Sequence, residues 1–269
     1  MRKVITATAN QVIKETERLK QKKYRISNKL FIVEGLRAVH EISEEWPIMR
    51  VFVDKNAGAA IDALADEIAV RGVEIIEVTS SILQKISDTE HAQGILAVVK
   101  MPETILEQLD TGEQTNFLVL DGIKDPGNLG TLVRTADAAG IEAVILLDGC
   151  VDLFSPKVVR STMGSLFHIP IVNGVTQEKF IAWTKEHGIT ILCSSLHEES
   201  QNIFQMTWPL GSQAIVIGSE ADGVSEELVN AAQVKFMIPM RGQAESLNAG
   251  VAAGIILFEH MRRTLEGLS

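Results

Sequence analysis

Six nearly continuous apolar runs in the second half of the chain constrain its fold more than any other feature. They lie at residues 117–120, 143–147, 167–172, 189–193, 214–217 and 235–238. Runs without polar alternation are typical of strands buried on both faces, as in a parallel sheet covered by helices. Helical patterns follow most of the runs, at 129–139, 155–163, 178–187, 226–231 and 247–263. The alternation predicts an α/β fold.

The first part of the chain alternates in the same way. Its candidate strands are 31–33, 50–53, 74–78 and 95–99, and its candidate helices are 36–45, 58–70 and 80–87. Residues 101–116 combine proline, glycine and charge with little periodicity, which is typical of a linker. We therefore predict a smaller α/β domain over residues 1–100, a linker over 101–116, and a larger domain over 117–269.

Composition narrows the class of protein. The chain is 46% apolar and 22% charged, which suits a packed core and excludes global disorder. No apolar stretch reaches a membrane-spanning length, and the sequence after Met1 lacks the pattern of a secretory signal. Two cysteines cannot build a disulfide framework, and the six histidines show no paired metal-ligand spacing. We expect a cytoplasmic protein without a metal site.

Charge is distributed unevenly along the chain. The first 37 residues hold ten basic and three acidic side chains, a net of +7, so the rest carries −17 of the total of −10. A basic segment on an acidic body can contact nucleic-acid phosphates. A solubilising amphipathic helix, with Val12, Ile13, Thr16 and Leu19 on one face, explains the same residues. Both interpretations remain open at this point.

The loop at 121–130 follows the first strong strand. Pro126 and Gly127 predict a turn, and Asn128 is a candidate helix N-cap. Arg134 lies one helical turn after Gly130, among apolar residues. Turn and cap chemistry explain the first three residues, but an arginine fork in this position suits a phosphate.

Two further loops follow later strands. At 218–223 the sequence reads Gly-Ser-Glu-Ala-Asp-Gly, which differs from a dinucleotide-binding turn because Glu220 stands where that turn needs glycine. A carboxylate there would repel a pyrophosphate, which disfavours a nucleotide-dependent oxidoreductase. The loop at 238–248 enters the last helical pattern, and Ser246 is its candidate cap. The free N–H groups of that helix start suit an acceptor-rich ligand.

In this order, the three loops resemble the three motifs of the SpoU (TrmH-like) family of RNA 2′-O-ribose methyltransferases, within the SPOUT class. The resemblance covers residues 117–260. Residues 25–99 resemble that family's N-terminal substrate-binding domain, similar to ribosomal protein L30e, through the stretches 31–37 and 93–97. The resemblance implies a C-terminal parallel-sheet domain with a deep trefoil knot, preceded by an L30e-like α/β domain. It also implies a homodimer that uses the last helix, S-adenosyl-L-methionine as methyl donor, and RNA as substrate, with ribosomal RNA favoured over tRNA.

The resemblance also assigns residues. Those that match catalytic positions of the family are Asn128, Arg134, Glu220, Ser246 and Asn248. Those that match donor-binding positions are Ser195, Gly218, Ile238, Met240 and Leu247. Within the basic N-terminal segment, Arg25, Lys29 and Arg37 are candidate RNA phosphate contacts. Gly250 departs from the family pattern, which commonly has serine there, so one secondary contact is in question.

Two rival classes of protein follow from the same residues. A non-catalytic RNA-binding or assembly factor could retain this fold, although intact motif side chains argue against it. A metal hydrolase is disfavoured by the histidine spacing. We expect Arg134 to hold an RNA phosphate and polarise the reacting hydroxyl, because a guanidinium stays protonated near neutral pH.

Overall fold

The computed structural model describes residues 2–219 and 221–265. The chain divides into two compact units. The first comprises Met1–Glu103 and Asp152–Phe167, and the second comprises Thr104–Val151 and His168–Ser269. The sequence pattern contains no sign that Asp152–Phe167 groups with the first unit.

The first unit has a five-stranded mixed sheet. Its strands are β1 (Lys3–Ile5), β2 (Leu30–Glu34), β3 (Ile48–Asp54), β4 (Glu74–Val78) and β5 (Ile95–Lys100). They lie in the order β1-β4-β3-β5-β2, with β1, β4 and β3 parallel and β5 antiparallel to both β3 and β2. The helices within residues 1–103 are α1 (Gln11–Arg18), α2 (Lys22–Asn28), α3 (Leu36–His40), α4 (Ala59–Val70) and α5 (Ser80–Ile86).

Helix α1 confirms the predicted amphipathic pattern. Asn10 caps it by accepting a 2.9 Å hydrogen bond from the Val12 N–H. Ile13, Thr16 and Leu19 are almost completely buried, whereas the polar residues between them face solvent. The apolar spacing therefore places one face of α1 in the core and leaves its basic residues outside.

Aromatic packing incorporates Asp152–Phe167 into the first unit. The Phe31 ring lies 4.8 Å from Phe154 and 6.0 Å from Trp46, measured between ring centroids. Trp46 in turn packs edge-on against Phe167 at 5.0 Å. These rings bury a continuous apolar surface, which explains why a segment distant in sequence joins this core.

The second unit has a seven-stranded sheet in which each strand pair is parallel. Its strands are β6 (Asn116–Asp121), β7 (Ala143–Leu147), β8 (Ile171–Val175), β9 (Thr190–Ser194), β10 (Gln201–Asn202), β11 (Gln213–Gly218) and β12 (Val234–Met237). Their order is β10-β12-β9-β11-β6-β7-β8. The remaining α-helices are α6 (Pro126–Ala138), α7 (Pro156–Ser161, in the first unit), α8 (Gln177–Glu186), α9 (Glu226–Ala231) and α10 (Ala249–Leu265). The α/β fold and the parallel sheet are confirmed.

The direction of the strand order reverses between β6 and β11. From β6 the chain proceeds outward through β7 and β8, whereas β9, β10 and β12 lie on the other side of β11. Parallel α/β sheets bind ligands outside the carboxyl ends of their strands at such a reversal. The topology therefore points to the loops that follow β6, β9, β11 and β12.

One predicted strand is wrong in position. Residues 167–172 were expected to be extended, but the strand is Ile171–Val175, and Phe167 ends a short 3-10 helix. Met163 and Gly164 both have positive φ, and Pro170 precedes the strand without a backbone donor. Strands β1 and β10 were missed because three and two residues are too few to show a period.

Across residues 2–219 and 221–265, the helices are too short or too polar to cross a lipid bilayer.

Burial of His260 on α10 makes the second unit sensitive to acid. Its ring packs edge-on against Trp208 at 5.0 Å, and burial lowers its pKa from 6.5 to about 4. The unfolded chain therefore binds more protons between pH 6.5 and 4, so the free energy of unfolding falls as the pH falls through that window.

Replacing His260 with methionine should remove this dependence. Wild type should lose roughly 2–3 kcal/mol more than His260→Met between pH 7 and pH 4, as judged by urea unfolding. Parallel stability curves for the two proteins would contradict the assignment. Glu259, whose pKa is held near 2 by Arg262 and Arg263, is present in both proteins and cancels in the comparison.

Candidate active site

A cavity of about 710 Å³ lies at the carboxyl ends of β9, β11 and β12. Its walls are the loops that follow these three strands and the first turn of α10. The volume is in the range of small-molecule sites, and the position is the one that the strand order indicates. The polar and charged lining residues are Ser194, Ser195, His197, Ser219, Asp222, Ser225, Glu226, Glu245 and Ser246.

The cavity brings together the predicted donor-binding residues. Ser195, Gly218, Ile238, Met240 and Leu247 all line it, from three different loops. Of the predicted catalytic residues, Ser246 lines it, whereas Asn128, Arg134 and Asn248 are not part of its walls. Glu220 lies outside the described residues.

Gly218 ends β11 in very close contact with the backbone of its own loop. A Cβ atom at Gly218 would lie 2.0 Å from the carbonyl carbon and oxygen of Gly223. Ser219 holds this arrangement, because its carbonyl accepts from the Gly223 N–H at 2.9 Å and its hydroxyl accepts from the Asp222 N–H at 3.0 Å. Glycine at position 218 thus allows the loop backbone to fold back so that Gly218 and Gly223 come into contact.

Asp121 at the end of β6 holds the loop that follows β11. This carboxylate is buried and accepts a 2.8 Å hydrogen bond from the Ser225 N–H. Gln177 donates a second bond to the Ser225 hydroxyl at 2.8 Å. The sequence pattern did not single out Asp121 as a site residue. The sequence did offer one indication of its role, because Asp121 directly follows a predicted buried strand. A buried carboxylate needs a hydrogen-bond donor, here from a neighbouring loop.

Asn128 does not cap α6, contrary to the prediction. The cap is Asp125, whose Oδ1 accepts from the Asn128 N–H at 2.9 Å, and Pro126 occupies the first turn. Proline suits that position because it has no backbone donor to satisfy. The Asn128 side chain instead accepts a 2.9 Å hydrogen bond from Asn248 Nδ2.

Asn248, and not Ser246, caps α10. Its Oδ1 accepts from the N–H groups of Gly250 and Val251, at 3.0 and 3.3 Å. The same side chain donates its amide protons to Asn128. Asn248 therefore joins the first loop to the third with one side chain, and Ser246 remains exposed at the cavity wall.

Arg134 lies on the exposed face of α6. Within the described part of the chain its side chain forms no hydrogen bond or ion pair, although the Thr131 hydroxyl, one turn earlier, donates to the Gly127 carbonyl at 2.9 Å. An arginine without a protein partner retains its full fork of donors for a bound anion.

Gly250 allows α10 to approach α6 closely. A Cβ atom at this buried position would lie 2.8 Å from Thr131 Cγ2, and the Thr131 rotamer is held by its bond to Gly127. The departure from the family pattern is thus matched by a close helix contact.

Gly250→Ser should therefore destabilise the protein, by about 1–3 kcal/mol, although serine favours a helix more than glycine does. Thr131→Ser removes the obstructing methyl group and should restore most of the loss in the double variant. Urea unfolding of the two single variants and the double variant measures this coupling. Additive effects would show that the two positions do not interact.

The charged side chains at the cavity favour a cationic ligand. Asp222, Glu226 and Glu245 contribute acid, and among the described lining residues none is lysine or arginine. Thiolate chemistry has no support, because burial raises the pKa of Cys193 to about 12 and also raises that of Cys150. An acidic cavity disfavours a pyrophosphate, in agreement with the argument made from the loop sequence.

The three predicted phosphate contacts in the first unit have different environments. Arg25 is wrong as a surface contact: it is only 3% exposed, donates to the carbonyls of Leu19 and Lys20 at 2.8 and 2.7 Å, and pairs with Asp152. Lys29 is exposed but pairs with Glu103. Arg37 is exposed, and its side chain has no hydrogen bond or ion pair to the residues that the structure describes.

Comparison with protein families gives two matches that divide the chain. Residues 115–258 match the SpoU rRNA Methylase family, and residues 10–97 match the MRM3-like substrate binding domain. The chain belongs to the SpoU rRNA methylase family. The resemblance inferred from the three loops of this SpoU protein is thus confirmed, and its second match agrees with the resemblance noted for residues 25–99.

Relatives of this SpoU protein match over its whole length. The 23S rRNA (guanosine(2553)-2′-O)-methyltransferase RlmP of Bacillus subtilis is 34% identical over 97% of this chain and 99% of the relative. Among solved structures, the AdoMet-bound rRNA methyltransferase of Sinorhizobium meliloti has a TM-score of 0.88 at 32% identity, over 98% of both chains. AviRb of Streptomyces viridochromogenes in complex with AdoMet has a TM-score of 0.85 at 26% identity, over 95% of this chain and 98% of AviRb.

Proposed function

We propose that this chain transfers a methyl group from S-adenosyl-L-methionine to a ribose 2′-hydroxyl in structured RNA, with ribosomal RNA the favoured substrate. The observation that carries the proposal is that six predicted site residues line one cavity at the sheet's carboxyl edge, from the loops that follow β9, β11 and β12. They are Ser195, Gly218, Ile238, Met240, Ser246 and Leu247. Family membership supplies the chemistry that this cavity would serve.

Ribosomal RNA is favoured over tRNA by the extent of the matches. The relatives that align with nearly the whole chain include RlmP, and two solved rRNA methyltransferase chains cover 98% of it. Two tRNA-modifying structures cover only 57% and 59% of it. A tRNA substrate is the alternative that the RNA experiment below separates.

The residues at the cavity fit the methyl donor. When bound, S-adenosyl-L-methionine supplies a methyl group on a positively charged sulfur. The apolar side chains of Ile238, Met240 and Leu247 suit its uncharged parts, while the carboxylates of Asp222 and Glu226 suit its positive charge. Gly218 keeps the loop backbone compact at the same wall.

Arg134 would bind and activate the RNA substrate. Its unpaired guanidinium can grip the phosphate next to the target ribose and polarise the 2′-hydroxyl, with that phosphate as a proton acceptor. The Asn128–Asn248 bond would hold the first and third loops in register, and Ser246 would contact the nucleotide. Glu220 keeps the role that the family resemblance implies, alongside Arg134 and the ribose.

A homodimer is part of the same proposal. Helix α10 buries Ala253, Ile256 and Leu257, yet leaves Val251 53% and Phe258 44% exposed. A helix that packs one apolar face in the core and exposes further apolar side chains on another face suits a subunit interface. The trefoil knot in the second unit and the L30e-like fold of the first unit are proposed from the family resemblance.

Two measurements test the function. Mapping 2′-O-methylation on total RNA from cells with and without the gene should reveal one missing methyl group, in ribosomal RNA. Titration of the purified protein with S-adenosyl-L-methionine by calorimetry should show saturable binding. If the donor fails to bind and no methyl group is lost, the chain is an RNA-binding or assembly factor and the proposal is wrong. Loss of a tRNA methyl group would retain the enzyme and change its substrate.

A further inference from the structure

The basic residues of the N-terminal segment are not equivalent in the structure. Five are engaged by other groups of the first unit. Arg2 pairs with Asp62 and Asp66, Lys3 with Glu74, Lys20 with the carbonyl of Lys85, Arg25 with Asp152, and Lys29 with Glu103. These five side chains bind carboxylates and carbonyls of the protein itself. They are half of the ten basic residues in the segment.

The other five basic residues of the segment are exposed, and one of them, Arg37, lies on α3. Lys14, Arg18, Lys22 and Lys23 lie on the outer faces of α1 and α2, and within the described chain none of their side chains forms an ion pair or hydrogen bond. Of the nearby acids, Glu17 pairs with Lys85, whereas Glu15 accepts from the neutral amide of Gln11 and keeps its charge, which leaves a net of +3 over these four cations and Glu15. A local concentration of uncompensated positive charge remains on a chain whose net charge is −10.

The Tyr24 ring lies among these basic side chains. Tyr24, the only tyrosine of the chain, is half-buried on α2. The Lys23 ammonium lies 4.8 Å from the ring centroid, and the Arg18 guanidinium carbon lies 5.5 Å from it. Aromatic rings beside cations are the combination that proteins use to stack a base and hold its phosphate in single-stranded RNA.

Buried contacts hold the turn between α1 and α2, which presents these groups. The buried guanidinium of Arg25 donates to the carbonyls of Leu19 and Lys20, between α1 and α2, while Leu19 packs in the core. Arg25 is therefore a positioning residue for this turn and does not itself contact a ligand.

We propose that Arg18, Lys23 and Tyr24 form a contact surface for an unpaired segment of the substrate RNA. The surface holds a phosphate with the two cations and a base or sugar with the ring. This inference rests on the proposed function for its choice of RNA over other polyanions. It replaces the predicted contacts at Arg25 and Lys29, whose charges are already used.

The test compares two double variants of equal charge. Arg18→Gln with Lys23→Gln removes two cations that form no ion pair, whereas Lys3→Gln with Lys179→Gln removes two that pair with Glu74 and Glu107. Binding of full-length protein to poly(U) and to purified ribosomal RNA is measured at several salt concentrations. The first double variant should bind about tenfold more weakly and lose roughly 0.7 to 0.9 from the salt slope for each phosphate contact removed. The second should keep the wild-type slope.

Tyr24→Leu isolates the stacking contribution. It should weaken binding to poly(U) about fivefold or more without changing the salt slope, whereas Tyr24→Phe should bind as wild type does. Equal losses in the two double variants, or none in either, would overturn the inference, and so would loss of affinity for phosphatidylglycerol vesicles alone. Calorimetric donor binding should be unchanged throughout. A wild-type protein that binds RNA through this surface but methylates nothing would refute the proposed function and leave the inference intact.

Discussion

Replacing Arg134 with alanine should reduce methyl transfer to RNA by about a hundredfold or more, the size of effect seen when a preorganised donor is removed from a reacting centre. The side chain is exposed and has no partner in the described chain, so its loss disturbs no protein contact. It also lies outside the cavity walls, so calorimetric affinity for S-adenosyl-L-methionine should be unchanged. Single-turnover methylation of ribosomal RNA with labelled donor measures the first effect.

Two further variants define what the Arg134 effect means. Arg134→Lys keeps the charge but loses the two-pronged geometry, and it should recover only part of the activity. Lys185→Ala removes an equally exposed and unpaired positive charge on α8, and it should methylate RNA at the wild-type rate. If Arg134→Ala also retains the wild-type rate, the family assignment of this residue does not apply to the chain.

The sheet of the second unit was predictable because its strands are buried on both faces. Residues 143–147 and 226–231 match the observed β7 and α9 at both ends. An uninterrupted apolar run such as that of β7 has sharp boundaries. The strand order was not predictable, because insertion of β11 between β9 and β6 depends on long-range packing. The aromatic cluster that draws Phe154 and Phe167 into the first unit is long-range in the same sense.

The residues predicted to bind the donor line the cavity, whereas the contacts of Asn128 and Asn248 were not predicted. The family motifs identified Asn128 and Asn248, but the assignment of caps failed at both helices, because several adjacent residues can cap and only the backbone decides which one does. Arg25 failed for a related reason. A count of charges does not distinguish a buried arginine that donates hydrogen bonds to carbonyls from an exposed arginine that is available to bind a phosphate.

Replacing Gly218 with alanine should abolish donor binding. A Cβ atom at this position would lie 2.0 Å from the Gly223 carbonyl and 2.3 Å from the Val224 nitrogen, which is backbone that cannot rotate away. The loop after β11 must therefore move, and it supplies one wall of the cavity. We expect calorimetric affinity for S-adenosyl-L-methionine to fall about a hundredfold or more, equivalent to roughly 3 kcal/mol.

The matched control for Gly218→Ala is Gly58→Ala. Gly58 lies before α4 in an extended conformation with φ of −77°, and a Cβ atom there meets nothing within 4 Å. It should bind donor as wild type does. Near-ultraviolet circular dichroism and RNA affinity show whether the Gly218 variant is folded. Should it fail to fold, Ser219→Ala removes only the hydroxyl that accepts from Asp222, and it should weaken donor binding in an intact protein. A Cβ atom at position 218 fits only if the loop after β11, and with it this wall of the cavity, changes shape. Wild-type donor affinity in a folded Gly218→Ala protein would therefore mean that the donor binds elsewhere.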